Sequence, residues 1–343
     1  MRKISITDVA GRAGVSIKTV SRVINREPNV RVDTRERVES AIAALKYTPN
    51  PSARSLAGNR AFVVGLLYDN PSSSYVIDIQ RGALNVCRRE HYDLLIHPCD
   101  YQSSEMPAEV GRLLRHSKVD GFLLTPPLSD HEPLLAALRD SNAHFVRVAP
   151  GDHAEIGRSV FTNDRDSCAE MTRYLVSLGH KAIGFVIGDP AHKAVGERYL
   201  GYLDGLKTAG LPFDQRLVKQ GFNTFPSGVQ CGIELLEQKT RPTAVFASND
   251  EMAIGVMRVA HQAGIRIPEE LSVVGFDDIP IGQQMFPALT TIRQPVEAMA
   301  MTATDLLLGQ LRGATHANEL ILLESLIQLR ESTGPGPHSR QPH

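Results

Sequence analysis

What the chain lacks narrows its chemistry first. There is no tryptophan among its 343 residues, and the four cysteines, Cys87, Cys99, Cys168 and Cys231, stand far apart with no C-x-x-C spacing. Zinc sites and disulfide frameworks both need patterned cysteines, so these four read as reduced and structural. No apolar run approaches the ~20 residues that cross a bilayer. The N-terminal MRKISITDVA has neither an apolar core nor a small-residue cleavage site, which excludes a secretory signal and sets the expectation of a cytoplasmic protein. Also missing are G-x-S-x-G, a glycine-rich phosphate loop ending in G-K-[ST], and a metal-spaced histidine pair. An enzyme, a bound metal and an organic cofactor are therefore all unexpected.

A chain this long suits two or three domains. Its net charge of −1 hides an asymmetry: residues 1–60 hold 12 Lys+Arg against 5 Asp+Glu, leaving 25 against 33 for the remainder. A basic head on an acidic body points to a polyanionic partner for the head.

The head reads as three short helices. Ser5 can cap the first, with Asp8 in the capping-box position and Ile6, Val9, Ala10 and Ala13 at helical spacing. Gly14 supplies a turn position where positive φ costs nothing, and Ser16 can cap a second helix that turns Val20, Val23 and Ile24 inward. A third, from about 33 to 45, buries Val38, Ile42 and Leu45. Two helices joined by so short a turn give the helix-turn-helix geometry, which sets its second helix into a DNA major groove. The outer face of that helix fits the task. Ile17 can pack on a thymine methyl, Lys18 can reach a base or phosphate, and Arg22 can offer paired donors to guanine O6 and N7. Ser16, Thr19, Ser21 and Asn25 suit phosphate contacts that set register. The bland alternative, a solvated amphipathic helix, loses to the combination of caps, glycine turn and basic balance.

Beyond it, in YTPNPSARSLAGNR, Asn50 fits an N-cap, Pro51 the first helical position and Gly58 the position just past the end. A helix so short is marginal in water. Leu56, flanked by the small Ala53 and Ala57, would let two copies pack together while each leucine wedges into a minor groove. Taken alone, the segment reads equally well as an interdomain linker.

The patterns DVAxxAGVSxxTVSRVIN and TRERVxxAIxxLxYxPNxxARSLAG make residues 3–60 resemble the lactose-repressor and galactose-repressor (LacI/GalR) family of bacterial transcription regulators. The resemblance implies a recognition helix from Ile17 to Asn25, a hinge helix from Asn50 to Gly58, and minor-groove insertion by Leu56. Two departures stand out: Gly11 lies inside helix one, and Arg31 stands where the family often has a serine cap, so Asp33 is expected to serve that helix end instead.

From Phe62 onward, short apolar strands such as FVVGLLY, GFLLT, KAIGFVIG, AVFAS and SVVGFD alternate with helical stretches in two series. That pattern indicates parallel sheets covered on both faces, here in two lobes, with ligands binding beyond the strands' carboxyl ends. Polar residues stand at those ends: Asp69 and Asn70 after LLY, of which Asp69 is expected to contact effector, Asn249 and Asp250 after VFAS, Asp277 and Asp278 after VVGF, and Gln294 after TTIR, while Arg198 opens a helical stretch. Arg198, Asn249 and Asp277 read as effector contacts able to span sugar hydroxyls, whereas Asp250 and Asp278 read as caps or turn residues. The family resemblance extends to VFASNDEMAIGVMRVAHQAGIRIPEELSVVGFDDIP and PALTTIRQP, and it implies a core like a periplasmic sugar-binding protein, with Gln294, Ser74 and Tyr75 also near the effector. Asn163 departs from the aspartate common there, and without tryptophan the stacking platform falls to Tyr75, Phe222 or Phe276.

LILLESLIQLRESTGPGP reads as a last strand and a Pro/Gly-rich end with no sustained heptad, so a homodimer is expected rather than a tetramer. The expected organisation is a helix-turn-helix domain over 1–48, a hinge helix over 49–60, an α/β core of two doubly wound parallel-sheet lobes over 61–333, and a flexible tail over 334–343. The expected function is a repressor that binds a pseudo-palindromic operator in double-stranded DNA as a dimer and answers to a small effector, a sugar or glycoside. A purine effector and a cytoplasmic sugar-binding module without DNA function stand as alternatives.

Overall fold

The computed structural model describes residues 4–24, 30–47, 60–117, 119–151, 157–313 and 319–337. The expected hinge helix with Asn50, Ala53, Leu56 and Ala57, the residue Asn25, and the last six positions of the tail lie outside these residues. The chain divides into two compact units, Met1–Phe62 and Val63–His343.

In the first unit, α1 (Ile6–Ala13) begins on a capping box: the Asp8 N–H donates to Ser5 Oγ at 3.4 Å and the Ser5 N–H donates to Asp8 Oδ2 at 2.8 Å. Gly14, at φ 64°, ends it in the left-handed conformation that glycine adopts without strain. Ser16 starts α2 (Ile17–Ile24) by accepting the Thr19 N–H at 3.1 Å. The third helix, α3 (Val32–Leu45), has Arg31 at its N-cap and no side-chain cap bond. Asp33, expected to cap it, sits one residue inside the helix and can only complement the helix dipole. Val9, Ala10, Ala13, Val20, Val23, Val38 and Ala41 form the shared core, small enough to let the helices approach closely.

The second unit has two lobes. Its elements run β1 (Val63–Tyr68), α4 (Ser73–Arg89), β2 (Asp93–Pro98), α5 (Met106–His116), β3 (Gly121–Leu124), α6 (Glu132–Asp140), β4 (His144–Val148) and β5 (Arg158–Thr162) in lobe 1. Lobe 2 follows with α7 (Asp164–Ser177), β6 (Ile183–Ile187), α8 (Ala194–Thr208), β7 (Val218–Gln220), α9 (Phe225–Leu236), β8 (Ala244–Ala247), α10 (Asp250–Gln262), β9 (Ser272–Val274), α11 (Pro280–Gln284) and β10 (Thr291–Arg293). The chain then returns to lobe 1 with α12 (Val296–Leu311) and β11 (Leu320–Leu323), and crosses once more to β12 (Leu326–Gln328). Lobe 1 is a six-stranded parallel sheet in the order β11-β5-β4-β3-β1-β2, and lobe 2 a four-stranded parallel sheet in the order β7-β6-β8-β9. Helices cover both faces, which is why β3 and β8 are buried along their whole length.

Helix α12 went unread in the sequence, although its buried positions Val296, Met299, Ala300, Ala303, Leu307 and Leu311 keep helical spacing. It packs so closely on α4 that a Cβ on Gly82 would come within 2.3 Å of the Glu297 carbonyl oxygen. The expected single last strand is two strands in different sheets. The Ser325 N–H donates to Asn163 Oδ1 at 2.8 Å, pinning the crossover between them. The tail is also shorter than expected: the Gly334 N–H donates to Ser272 Oγ at 3.0 Å and the Gly336 N–H donates to the Leu178 carbonyl at 2.7 Å, so residues 334–336 are part of lobe 2.

Candidate functional site

On α2, Ser16, Ile17, Lys18 and Arg22 are exposed while Val20 and Val23 are buried, so the core and contact faces separate cleanly. Ile17 keeps 47% of its surface in water. Thr19 and Ser21 lie half-buried between the two faces, and Ser16 Oγ lies 2.9 Å from Thr19 Oγ1. An apolar tip beside two cations on one outward face is what a base-reading helix offers.

The second candidate site lies between the lobes. Residues that follow strands converge there: Asn70 after β1, Asn249 after β8, Asp277 after β9 and Gln294 after β10, facing Ser72 and Tyr75 at the start of α4 and Arg198 at the start of α8. Arg198, 9% exposed, is held on several sides. Its Nε donates to Asp164 Oδ2 at 2.9 Å and its Nη1 to the Ser248 carbonyl at 2.6 Å, with Asp277 Oδ1 3.6 Å away and the Phe276 ring 3.7 Å beneath the guanidinium.

Asp277 adopts φ 113°, outside the ordinary regions for a residue with a Cβ. Its neighbours hold it there. The Asp277 N–H donates to the Ile292 carbonyl at 2.8 Å, and Asp278 is clamped by Arg293 Nε at 2.6 Å and by Arg330. Burial pushes the Asp277 carboxyl up to about 7; Arg198 pulls it down and Asp164 adds to the rise. Burial likewise raises the Tyr75 phenol, and Asp277 raises it further.

The remaining expected contacts divide. Asn249 lines the cleft, yet its side chain is already engaged: Oδ1 accepts the Met252 N–H at 2.9 Å as the cap of α10, and Nδ2 donates to the Asn223 carbonyl at 3.0 Å. Tyr75 and Gln294 line the cleft with polar atoms to spare, for Tyr75 Oη and Gln294 Oε1 are buried without a partner among the described residues. Asp69 and Ser74 are not brought to it. The Asp69 carboxylate accepts the Tyr101 N–H at 2.9 Å, and Asn70 and Ser72 take the lining positions, with Ser72 Oγ accepting the Tyr75 N–H at 3.5 Å to start α4. Asp250 is a structural tie: it accepts the Ile279 N–H at 2.9 Å and the Thr291 hydroxyl. Among the aromatics, one face of Phe276 is covered by Arg198, and Phe222 is 52% exposed and away from the lining.

Asp164, Asn223 and His192 were missed. Asp164 stands one position after Asn163, the place where the resemblance led to an expected aspartate, and it supplies the carboxylate on Arg198. Burial lowers the His192 imidazole, with Asp189 opposing the shift.

Residues 5–50 match the profile for bacterial regulatory proteins of the lacI family, and residues 172–333 match a periplasmic binding protein-like domain. The chain is 34% identical over 336 residues to the HTH-type transcriptional repressor PurR of Photorhabdus laumondii subsp. laumondii, an alignment covering 97% of this chain and 98% of the relative. This chain belongs to the lacI family of bacterial regulatory proteins. Solved structures agree with the lacI-family assignment. A lac repressor dimer bound to operator and the anti-inducer ONPF superposes with a TM-score of 0.75 at 27% identity, over 97% of this chain and 100% of that one. The transcriptional regulator CelR in complex with cellobiose gives 0.73 at 29% identity, over 96% and 99%. A LacI-family regulator from Enterococcus faecium with bound ribose gives 0.71 at 27% identity, over 80% and 99%. The fold is thus a helix-turn-helix unit with a periplasmic-binding-protein-like core, and the chain is a DNA-binding transcriptional repressor of the lacI family with an effector-binding domain. No helix among the described residues is long and apolar enough to cross a membrane.

Proposed function

We propose that the protein binds a pseudo-palindromic operator as a homodimer and releases or tightens on it when a sugar or glycoside occupies the cleft between the lobes. The carrying observation is the arrangement of Arg198, Asp277 and Gln294 at one cavity: a braced, buried guanidinium, a half-buried carboxylate and a buried amide whose oxygen has no partner among the described residues. Groups of these kinds can each meet adjacent sugar hydroxyls with paired hydrogen bonds. An effector that prefers one lobe angle shifts the population of DNA-competent dimers by its differential affinity for the two states. Exposed Ile77 and Ile96 on lobe 1, and Ile281 and Phe286 on lobe 2, offer apolar faces to a second copy.

A purine would fit less well. A planar base is best held by aromatic faces, and of Tyr75, Phe222 and Phe276 only the first lines the cleft with its ring uncovered by Arg198. The test is a thermal-shift screen of cellobiose, ribose, galactose and hypoxanthine, followed by anisotropy titration of an operator selected from random duplex DNA. A rise in Tm with a sugar, together with a changed operator affinity, is expected. Stabilisation by hypoxanthine alone would overturn the sugar assignment, and light scattering that gave a monomer would overturn the dimer.

A further inference from the structure

The cleft's charge is lopsided. Arg198 sits between two carboxylates, Asp164 at 2.9 Å and Asp277 at 3.6 Å. The other buried guanidinium nearby, Arg147, is closed on Asp130 at 2.6 Å. Asp69, Asp130 and Asp189 all act electrostatically on His192 at the cleft wall, and Glu251 acts on Asp277. Burial lowers the His192 imidazole, which disfavours a second cation at the cleft wall. With Asp130 neutralised by Arg147, two carboxylates still flank the one buried guanidinium that lines the cleft, and Asp69 and Asp189 add to them at the wall.

The unspent hydrogen-bonding capacity points the same way. Gln294 is 5% exposed, and its Oε1 is buried without a partner among the described residues, as are Asn223 Oδ1 and Tyr75 Oη; all three belong to residues lining the cavity, the two amide oxygens only accept, and the phenol can accept as well as donate. The Asp277 carboxylate accepts no hydrogen bond among the described residues, its nearest cation being Arg198. A ligand that brings donors meets these acceptors, and an added negative charge would compete with Asp164 and Asp277 for the single guanidinium of Arg198.

We propose that the cleft selects for effector charge, admitting neutral sugars and favouring amino sugars while turning away phosphorylated and carboxylated ones. The inference rests on the sugar reading of the cleft for its choice of probes, but the charge rule can be tested apart from it. In the first arm, calorimetry compares glucose and galactose with their 2-amino, 6-phosphate and uronate derivatives. The amino sugar binds at least as tightly as its parent, and the anionic derivatives bind at least about tenfold more weakly, because their charge is brought against the cleft carboxylates. A phosphate or uronate that equals or exceeds its parent overturns the rule.

In the second arm, inorganic phosphate is the probe, and Tm is measured at pH 8, above the Asp277 value of about 7, in phosphate and in chloride of matched ionic strength for the wild type and for Asp277→Asn. Losing one of the two carboxylates on Arg198 makes the phosphate-specific rise in Tm larger in the variant, and equal rises overturn the rule. If no sugar binds but hypoxanthine does, the sugar reading fails and this arm still decides the question of charge.

Discussion

The two ends of this molecule handle polar side chains in opposite ways. On α2 Lys18 and Arg22 face outward, away from a core of small aliphatic side chains. In the cleft, three of the lining residues also support the fold: Arg198 joins α7 to the end of β8, Asn249 caps α10, and the Asp277 N–H donates to the Ile292 carbonyl. On the proposed reading, changes at Arg22 should alter DNA specificity with little effect on stability, whereas changes at Arg198, Asn249 or Asp277 should alter both.

The strongest way to break that contrast is Asp164→Asn. It leaves Arg198 without its closest carboxylate, and breaking a buried pair costs about 3–5 kcal/mol. Urea unfolding followed by circular dichroism should show that loss, together with weakened effector binding; stability within about 0.5 kcal/mol of wild type would mean that the cleft is no more coupled to the fold than a surface helix. Next in size is Arg22→Ala. Stability should hold while discrimination at one base position per half-site drops by about 1–3 kcal/mol, read by competition between operator variants. A fall in melting temperature comparable to that of Asp164→Asn would erase the distinction from the other side.

The smallest effect comes from Asp277. Its folded value of about 7 lies above its ordinary 3.8, so between those limits the folded protein holds a proton that the unfolded chain has released. Stability from this group therefore falls as pH rises from 3.8 to 7 and is level above. Binding of a hydroxyl-donating effector favours the ionised carboxylate, so affinity should rise through pH 7 and flatten above it. Titration calorimetry at pH 6, 7 and 8 tests this, with Asp277→Asn expected to remove the slope; the same slope in the variant would assign the proton to another group.

Much of this was legible in the chain. Ser5 with Asp8, Gly14 and Ser16 announce α1 and α2 because capping is local, and the alternating strands of both lobes show as apolar runs. The cleft was readable where a strand end supplies the group, as at Asp277 and Gln294. It was misread where a loop sets the register: Asn70 and Ser72, by hydrogen bonding within the turn before α4, take the positions expected of Asp69 and Ser74. Asp164 escaped notice because its meaning comes from a partner 34 residues away. Helix α12 escaped because it is apolar on more than one side, burying Met299 and Ala303 together with Leu308 and Leu311.

That helix and the strand after it have a consequence for how the protein is made. Lobe 1 begins with Val63 but borrows its cover, α12, and its edge, β11, from residues after 295. A ribosome therefore delivers most of lobe 2 before lobe 1 can close, and lobe 2 in turn waits for β12 and residues 334–336. A nascent chain halted at residue 290 would carry an open sheet edge beside β5, exposed to chaperones or to other chains until its final strand emerges.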